Sequence, residues 1–313
     1  MSRPSLTVAG PPPASPARTE PPVRTPLRVG IVQERWHPDP VVHRAALRTG
    51  IGIAAEAGAA LVCLQELTLS PYFAIAPDGA AALGVEPESP VDGPTVSFLR
   101  AAAREFGVHV HGSLFERAAE ITDGRGYNTA VCVAPDGAVV ANTRKMHIPV
   151  TAGYHEDRSF VPGDSGTPVT PIGAAHVGFP TCWDQWFPEL ARAYSLAGAD
   201  LVVYPTAIGS EPDHPGFDTE PLWQHVIVGN GIANGTFMAA INRIGTETSG
   251  GTSITFYGSS FISDPYGRVL VQAPRDEPAV LVADLDLDQR RDWLTLFPFL
   301  TTRRPDQYGS LTR

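Results

Sequence analysis

From Leu27 onward one pattern recurs: a short run rich in β-branched residues, then an Ala-rich stretch with helical spacing. The runs LRVGIVQ at 27–33, LVCLQE at 61–66, VHVHGSLFE at 108–116 and NTAVCV at 128–133 are separated by helical stretches such as 40–59 and 94–106. After Pro168 the same kinds of element return in AAHVGFPTC, DLVVYPT, FMAAINRI, SSFISDP and AVLVADLD, with helical stretches at 187–198 and 220–235 among them. Such alternation requires helices packed on sheets, an α/β fold. The second-half runs are continuously apolar, as expected of strands packed closely on both faces. The turn signals APDGAV at 134–139 and DPYGRV at 264–269 join neighbouring runs as hairpins, so the sheets are expected to be mixed. No compositional break divides the folded part and no internal repeat is visible. The expectation is a single α/β domain over 27–313 with two sheets.

Composition narrows the partners. The 313 residues hold 23 Lys plus Arg against 33 Asp plus Glu, a formal charge of −10 that disfavours nucleic acid and anionic membrane surfaces. No run approaches the roughly 18 apolar residues of a transmembrane helix. Three cysteines, Cys63, Cys132 and Cys182, form no CxxC pair, which argues against a disulfide scaffold or structural zinc and fits a reducing, cytoplasmic setting. Residues 1–26 are Pro-rich and lack the apolar core of a signal peptide, and are read as a disordered tail.

Ligands of open α/β sheets bind beyond the carboxyl ends of the strands. Glu66 follows LVCLQ, Lys145 follows VVANTR and Cys182 follows VGFPT, which places a base, a cation and a nucleophile at three strand ends. Each has a bland alternative: Glu66 and Lys145 as solvated rim charges, Cys182 as a packed core residue. Pro180 keeps Phe179 extended, and Pro188 opens a helical stretch directly after TCWDQWF, so the Cys182 thiol is expected near a helix start, where thiolate is favoured. Cys63 and Cys132 lie inside apolar runs and read as inert core. His147 or His155 could serve instead as the base of a Cys/His pair. His109 and His111 share a strand face but lack a third metal ligand at telling spacing. GNGIANG at 229–235 does not match the dinucleotide-binding glycine pattern.

LQEL around Glu66, TRKMHIP around Lys145 and TCWDQWFPE around Cys182 together resemble the three signature segments of the nitrilase superfamily of carbon–nitrogen hydrolases. The resemblance runs from about Leu27 to Tyr308. CWDQWFPE, YPTAIGSEP, NRIG and TFYGSSFI are most similar to the N-carbamoylputrescine amidase group within it. The resemblance implies a four-layer αββα sandwich, two mixed sheets packed face to face, in subunits that pair into a homodimer or larger assembly. It also implies a Glu66, Lys145, Cys182 triad working without cofactor or metal, with Glu156 as a fourth, supporting carboxylate. Trp183, Asp184, Gln185, Trp186, Tyr72, Thr206, Ala207 and Glu211 are the expected substrate-binding residues.

Cleaving an unactivated amide or ureido bond needs a nucleophile, a hold on the oxyanion and a proton for the leaving nitrogen. Glu66 is expected to take the thiol proton, and Lys145 with the Trp183 N–H to hold the oxyanion. The expected substrate is an N-carbamoyl amine whose far end is neutral or cationic, attracted by Asp184 and Glu211; the alternative for Asp184 is a helix cap, worth about 1 kcal/mol. Val150, the segment 222–234, which lacks the basic residues usual there, and Thr301 with Thr302 depart from the group's pattern and leave the exact substrate open. The rival readings are an N-carbamoyl-β-amino acid (ureidopropionase-like) hydrolase, a simple aliphatic amidase, a Cys/His acyltransferase or protease, and a catalytically silent binding subunit of the same fold.

Overall fold

The strand Leu201–Pro205 is apolar at every position because both of its faces are covered: Leu201 and Val203 enter one buried cluster, Val202 and Tyr204 another. The whole architecture follows from that arrangement. The computed structural model describes residues 3–312, so residues 1 and 2 of the expected tail and Arg313 of the expected domain lie outside it. Seven strands form the first sheet, in the order Ser5–Val8, Ala279–Leu285, Leu27–Gln33, Leu61–Cys63, His109–Glu116, Tyr127–Val133, Val139–Arg144. Six form the second, in the order Val269–Gln272, Phe261–Ser263, Phe237–Ile241, Leu201–Pro205, Ala175–Gly178, Val169–Ile172. Each sheet has three parallel strands at its centre and antiparallel strands beside them. Both expected hairpins are present.

Three apolar layers hold the sheets and helices together. Helices Pro40–Glu56 and Pro94–Phe106 cover the outer face of the first sheet. Helices Pro188–Leu196 and Glu220–Asn234 cover the second. The inner faces meet in a cluster that includes Val29, Ile31, Leu61, Val177, Val203 and Ile241. Each fully buried Val, Leu or Ile there contributes roughly 1.5–3 kcal/mol relative to exposure. The result is the αββα sandwich. Gly178 matters to the site: a Cβ there would lie 2.4 Å from a Tyr194 ring carbon, so only glycine lets the helix after Cys182 pack this closely on the strand before it. Among the described residues no helix is long and apolar enough to cross a membrane.

Across the inner face of the first sheet Cys63, His111 and Cys132 are register neighbours, all fully buried. Burial pushes both thiols up. His111 stacks on Phe179 of the opposite layer, centroids 4.8 Å apart, and neither ring nitrogen has a hydrogen-bond partner among the described residues. Burial holds its pKa down at about 3. His109 instead sits at the strand start, its Nδ1 3.3 Å from the Ala60 carbonyl.

The N-terminal segment differs from the expectation of a disordered tail. Ser5–Val8 adds a parallel edge strand beside Ala279–Leu285. Arg18 bridges Asp286 at 2.7 Å and Asp292 at 2.8 Å, and Arg24 grips Asp200 through two bonds of 2.7 and 2.6 Å while also donating to the Ala174 carbonyl. The backbone N–H groups of Val23 and Arg24 donate to Asp288. Composition misled because this segment is anchored by charge and backbone hydrogen bonds, with its strand residues exposed, rather than by apolar burial. The helix Asp288–Leu296 escaped for the same reason, since it buries Asp288, Gln289 and Asp292 instead of an apolar stripe. The hairpin Ile244–Ser249 and Thr252–Tyr257 was hidden by its Ser, Thr and Gly content.

Two outcomes follow from these contacts. Replacing Arg24 with Ala leaves Asp200 buried without its main cation, a loss of about 2–3 kcal/mol, less than for a fully buried pair because the guanidinium is partly exposed. The melting temperature should fall by about 5 °C for a chain of this size, with the fold at 25 °C unchanged by circular dichroism. His111 acts through pH. Its folded pKa lies below the unfolded value of about 6.5, so its contribution is complete above that pH and is lost as the pH falls toward 3. Denaturant titrations at pH 8 and pH 5 should show a stability difference smaller by about 2 kcal/mol in His111→Leu than in the unsubstituted chain.

Candidate active site

The cluster forms where four chain segments leave the sheets. After Cys63 the ladder ends, Leu64 N–H donates to the His111 carbonyl, and the chain turns at Leu67, whose φ of 48° lies in the left-handed region. That strained turn is held by the buried Arg243, which donates to the carbonyls of Glu66 at 2.6 Å and Leu67 at 3.2 Å. Lys145 directly follows the strand Val139–Arg144 and its N–H donates to the Asn128 carbonyl at 2.7 Å. Glu156 opens the short turn Glu156–Arg158. Cys182 opens the 3-10 turn Cys182–Trp186, also with a left-handed φ, 34°.

These segments bring Glu66, Lys145 and Glu156 together out of water. Lys145 Nζ donates to Glu66 Oε1 at 2.9 Å and to the two Glu156 oxygens at 2.8 and 2.7 Å. The Tyr72 hydroxyl donates to Glu156 Oε1 at 2.8 Å, and Asn128 Nδ2 to Glu66 Oε1 at 2.7 Å. None of the five is more than 1% exposed. Burial favours the neutral amine, but Glu156, Glu66 and Cys182 outweigh it and Lys145 holds its proton more tightly than a free lysine. Burial pushes Glu156 up to about 7 against the pull of Lys145, with Glu66 adding to the rise.

Cys182 is raised as well, which corrects the expectation of a lowered pKa. Burial is the largest cause; Glu66 and Glu156 add to it, while Lys145 and a hydrogen bond from the Ala207 N–H oppose it. The Cys182–Trp186 turn is too short to supply a strong helix dipole, and the next helix begins only at Pro188. At neutral pH the resting sulfur therefore carries its proton.

Cys182 lies in the wall of a cavity of about 390 Å³ whose lining includes Trp183, Trp186, Ala207, Glu211 and Phe217. A 3-10 turn brings residues i and i+3 to one side, which explains why Trp183 and Trp186 both reach the cavity, ring centroids 6.3 Å apart. Asp184 and Gln185 do not. Asp184 is 1% exposed and accepts from the N–H groups of Thr181 and His147 and from the His147 ring, closing a capping box with Thr181. Its charge is consumed there, and the cap alternative describes it. Gln185 is fully buried, and its carbonyl accepts from Asn230. Thr206 is buried and donates to the Tyr204 carbonyl, and Tyr72 acts on Glu156 from behind the cavity. Neither His147 nor His155 lines the cavity, and His147 is stacked on Phe187 at 3.6 Å.

Sequence reasoning missed the supports. Asn242 binds the N–H and carbonyl of Ile208, next to Ala207, while Arg243 pairs with Glu247, whose other oxygen accepts the Tyr72 N–H. NRIG stood out only as a resemblance; the available signal was an Asn–Arg pair at the end of the apolar run FMAAI, where a buried strand should not expose two polar side chains.

The family profile described as carbon–nitrogen hydrolase matches residues 28–294. The N-carbamoylputrescine amidase of Arabidopsis thaliana is 39% identical over 258 residues, 81% of this chain and 84% of that protein. The chain belongs to the carbon–nitrogen hydrolase family. The citrullinase of Francisella tularensis is 36% identical over 294 residues, 92% of this chain and 98% of that one. The crystal structure of a carbon–nitrogen hydrolase from Helicobacter pylori G27 matches with a TM-score of 0.83 at 31% identity, covering 92% of this chain and 99% of its own. As a member of this family the chain is a hydrolase acting on carbon–nitrogen bonds.

Accessibility separates the three thiols. Iodoacetamide should carbamidomethylate Cys182, which borders the cavity, while Cys63 and Cys132, sealed between the sheets, stay unmodified until the protein is unfolded. Peptide mass spectrometry after brief treatment checks this.

Proposed function

We propose that the chain hydrolyses N-carbamoyl amines to amine, ammonia and CO2, with Cys182 as the nucleophile. The observation that carries this is the buried Glu66–Lys145–Glu156 cluster within electrostatic reach of a protonated thiol at a cavity wall. A protonated thiol needs a base, and Glu66 Oε2 is buried with no hydrogen-bond partner among the described residues. Glu66 takes the thiol proton as sulfur attacks the carbonyl carbon, and the oxyanion is held by Lys145 and the Trp183 N–H. The tetrahedral adduct expels ammonia, which takes the proton back from Glu66, and leaves a carbamoyl thioester on Cys182. Water, deprotonated by Glu66, then releases the sulfur and a carbamate that loses CO2 to give the amine. Glu156 and Tyr72 keep Lys145 in place throughout.

Charge in the cavity wall favours an amine-bearing substrate. No arginine or lysine lines the cavity among the described residues, whereas Glu211, half-buried, does, and burial raises its pKa. A substrate ammonium beside Glu211 would offset the burial that raises its pKa, and the Trp183 and Trp186 faces suit an aliphatic chain or cation. A carboxylate there would find no arginine or lysine to hold it, only His214, which already faces Glu211, and this disfavours the ureidopropionase-like reading. With Asp184 committed to the turn, Glu211 alone carries this argument.

Steady-state ammonia release from N-carbamoylputrescine, citrulline, N-carbamoyl-β-alanine and propionamide tests the reading. N-carbamoylputrescine should show the highest kcat/KM, at least tenfold above N-carbamoyl-β-alanine, and Cys182→Ala should release no ammonia from any of them. Glu211→Gln should raise KM for the cationic substrate about tenfold with little change in kcat, the signature of lost ground-state binding. A kcat/KM favouring N-carbamoyl-β-alanine would overturn the charge assignment.

A further inference from the structure

Asn128 is a buried polar residue near the start of the apolar strand Tyr127–Val133, two strands away from Glu66 in the first sheet. Its Nδ2 donates to Glu66 Oε1 at 2.7 Å, the same oxygen that accepts from Lys145 at 2.9 Å. Its carbonyl accepts the Lys145 N–H at 2.7 Å, so one residue fixes both the Glu66 carboxylate and the Lys145 backbone. The amide can be oriented only one way, because a carboxylate accepts and the flipped amide would set oxygen against oxygen.

We infer that Asn128 is a positioning residue for the hydrolysis: with Lys145 it occupies Glu66 Oε1 and so leaves Oε2 as the oxygen that exchanges a proton with the Cys182 thiol. The inference rests on Glu66 being the base. Lys145 cannot set the carboxylate plane by itself, since its Nζ is also tied to both Glu156 oxygens. A second donor, from a different strand, removes the remaining rotation. Oε2 fits the role, being buried and without a partner.

Asn128→Leu keeps the size and removes the donor; Glu66→Gln serves as the reference. Both are assayed as full-length protein on whichever of the four substrates above has the highest kcat/KM, with pH profiles and thermal melts. A hydrogen bond to a charged acceptor is worth on the order of tenfold to a hundredfold, so kcat of Asn128→Leu should fall by at least tenfold with KM changed less than about threefold. A carboxylate that loses a donor is protonated more readily, so the acid limb of kcat/KM should also move to higher pH. The charged and titratable groups facing Glu66 are Lys145, Glu156, Cys182, Tyr72 behind Glu156, and Arg243 at the Glu66 carbonyl, and the variant leaves all of them in place. A purely structural role predicts a lower melting temperature with an unmoved limb, and that result overturns the inference, as does a kcat within twofold of the unsubstituted enzyme. Should Glu66→Gln keep full turnover, the assignment of the base itself fails and the inference with it. Loss in Glu66→Gln beside normal behaviour in Asn128→Leu removes only the inference.

Discussion

One ammonium shared between two carboxyl groups, all fully buried, is the interaction on which this molecule depends. Removing such ions from water costs several kcal/mol each, and a single lysine cannot fully compensate two carboxylates. Burial above all, with the neighbouring carboxylates adding to it, pushes Glu156 up and keeps the proton on the Cys182 thiol. The same mismatch makes the site useful. A cluster with spare negative charge resists forming a thiolate at rest; in the proposed reaction it would release that resistance when negative charge moves onto a substrate oxygen near Lys145. On that proposal the cluster is closer to balance once the reaction has begun than before it.

Holding such a cluster requires a scaffold that tolerates strain. The two non-glycine residues beside the chemistry, Leu67 and Cys182, both adopt left-handed φ values. Each is fixed by hydrogen bonds to a residue outside the proposed triad: Arg243 donates to the Glu66 and Leu67 carbonyls, and Asp184 accepts from the Thr181 N–H. Asn242 joins the Ala207 side of the cavity to the same strand end that carries Arg243. Two adjacent residues therefore tie the loop holding Glu66 to the loop whose N–H meets the sulfur. The second sheet contributes Cys182 and these ties, the first contributes Glu66 and Lys145, and the inter-sheet core sets their separation.

Strand-end position and residue type made Glu66, Lys145 and Cys182 legible, because apolar runs ending in a charge or a thiol need no tertiary knowledge to find. The helices were legible where they bury an apolar face, as Pro94–Phe106 does. What escaped was held by polar contacts across long sequence separations. Asp184 looked available to substrate, yet the contact that consumes it comes from His147, 37 residues away. Asn128 sits 62 residues from the carboxylate it grips, and Arg243 177 residues from its carbonyl partner. Periodicity reports which face is apolar; it does not report which polar atom meets which.

The pole opposite the cavity shows the same principle applied to stability. Asp200, Asp286, Asp288 and Asp292 gather there at the start of one sheet's central strand and the end of the other sheet's edge region. Left alone, four acids with little exposure would repel one another and lack water. Arg290 and Arg291 answer part of that charge from within the domain, and Arg18 and Arg24 add cations from the N-terminal segment, with the backbone N–H groups of Val23 and Arg24 as further donors. Because Asp200 belongs to the second sheet and the other three follow a strand of the first, these contacts clamp the sandwich shut where the inter-sheet core runs out. The prolines between the anchors restrict the unbound segment, so fixing it costs less conformational entropy than a flexible linker would. A proline-rich composition that argues for disorder in isolation thus favours order once an acidic pole is present to receive its arginines.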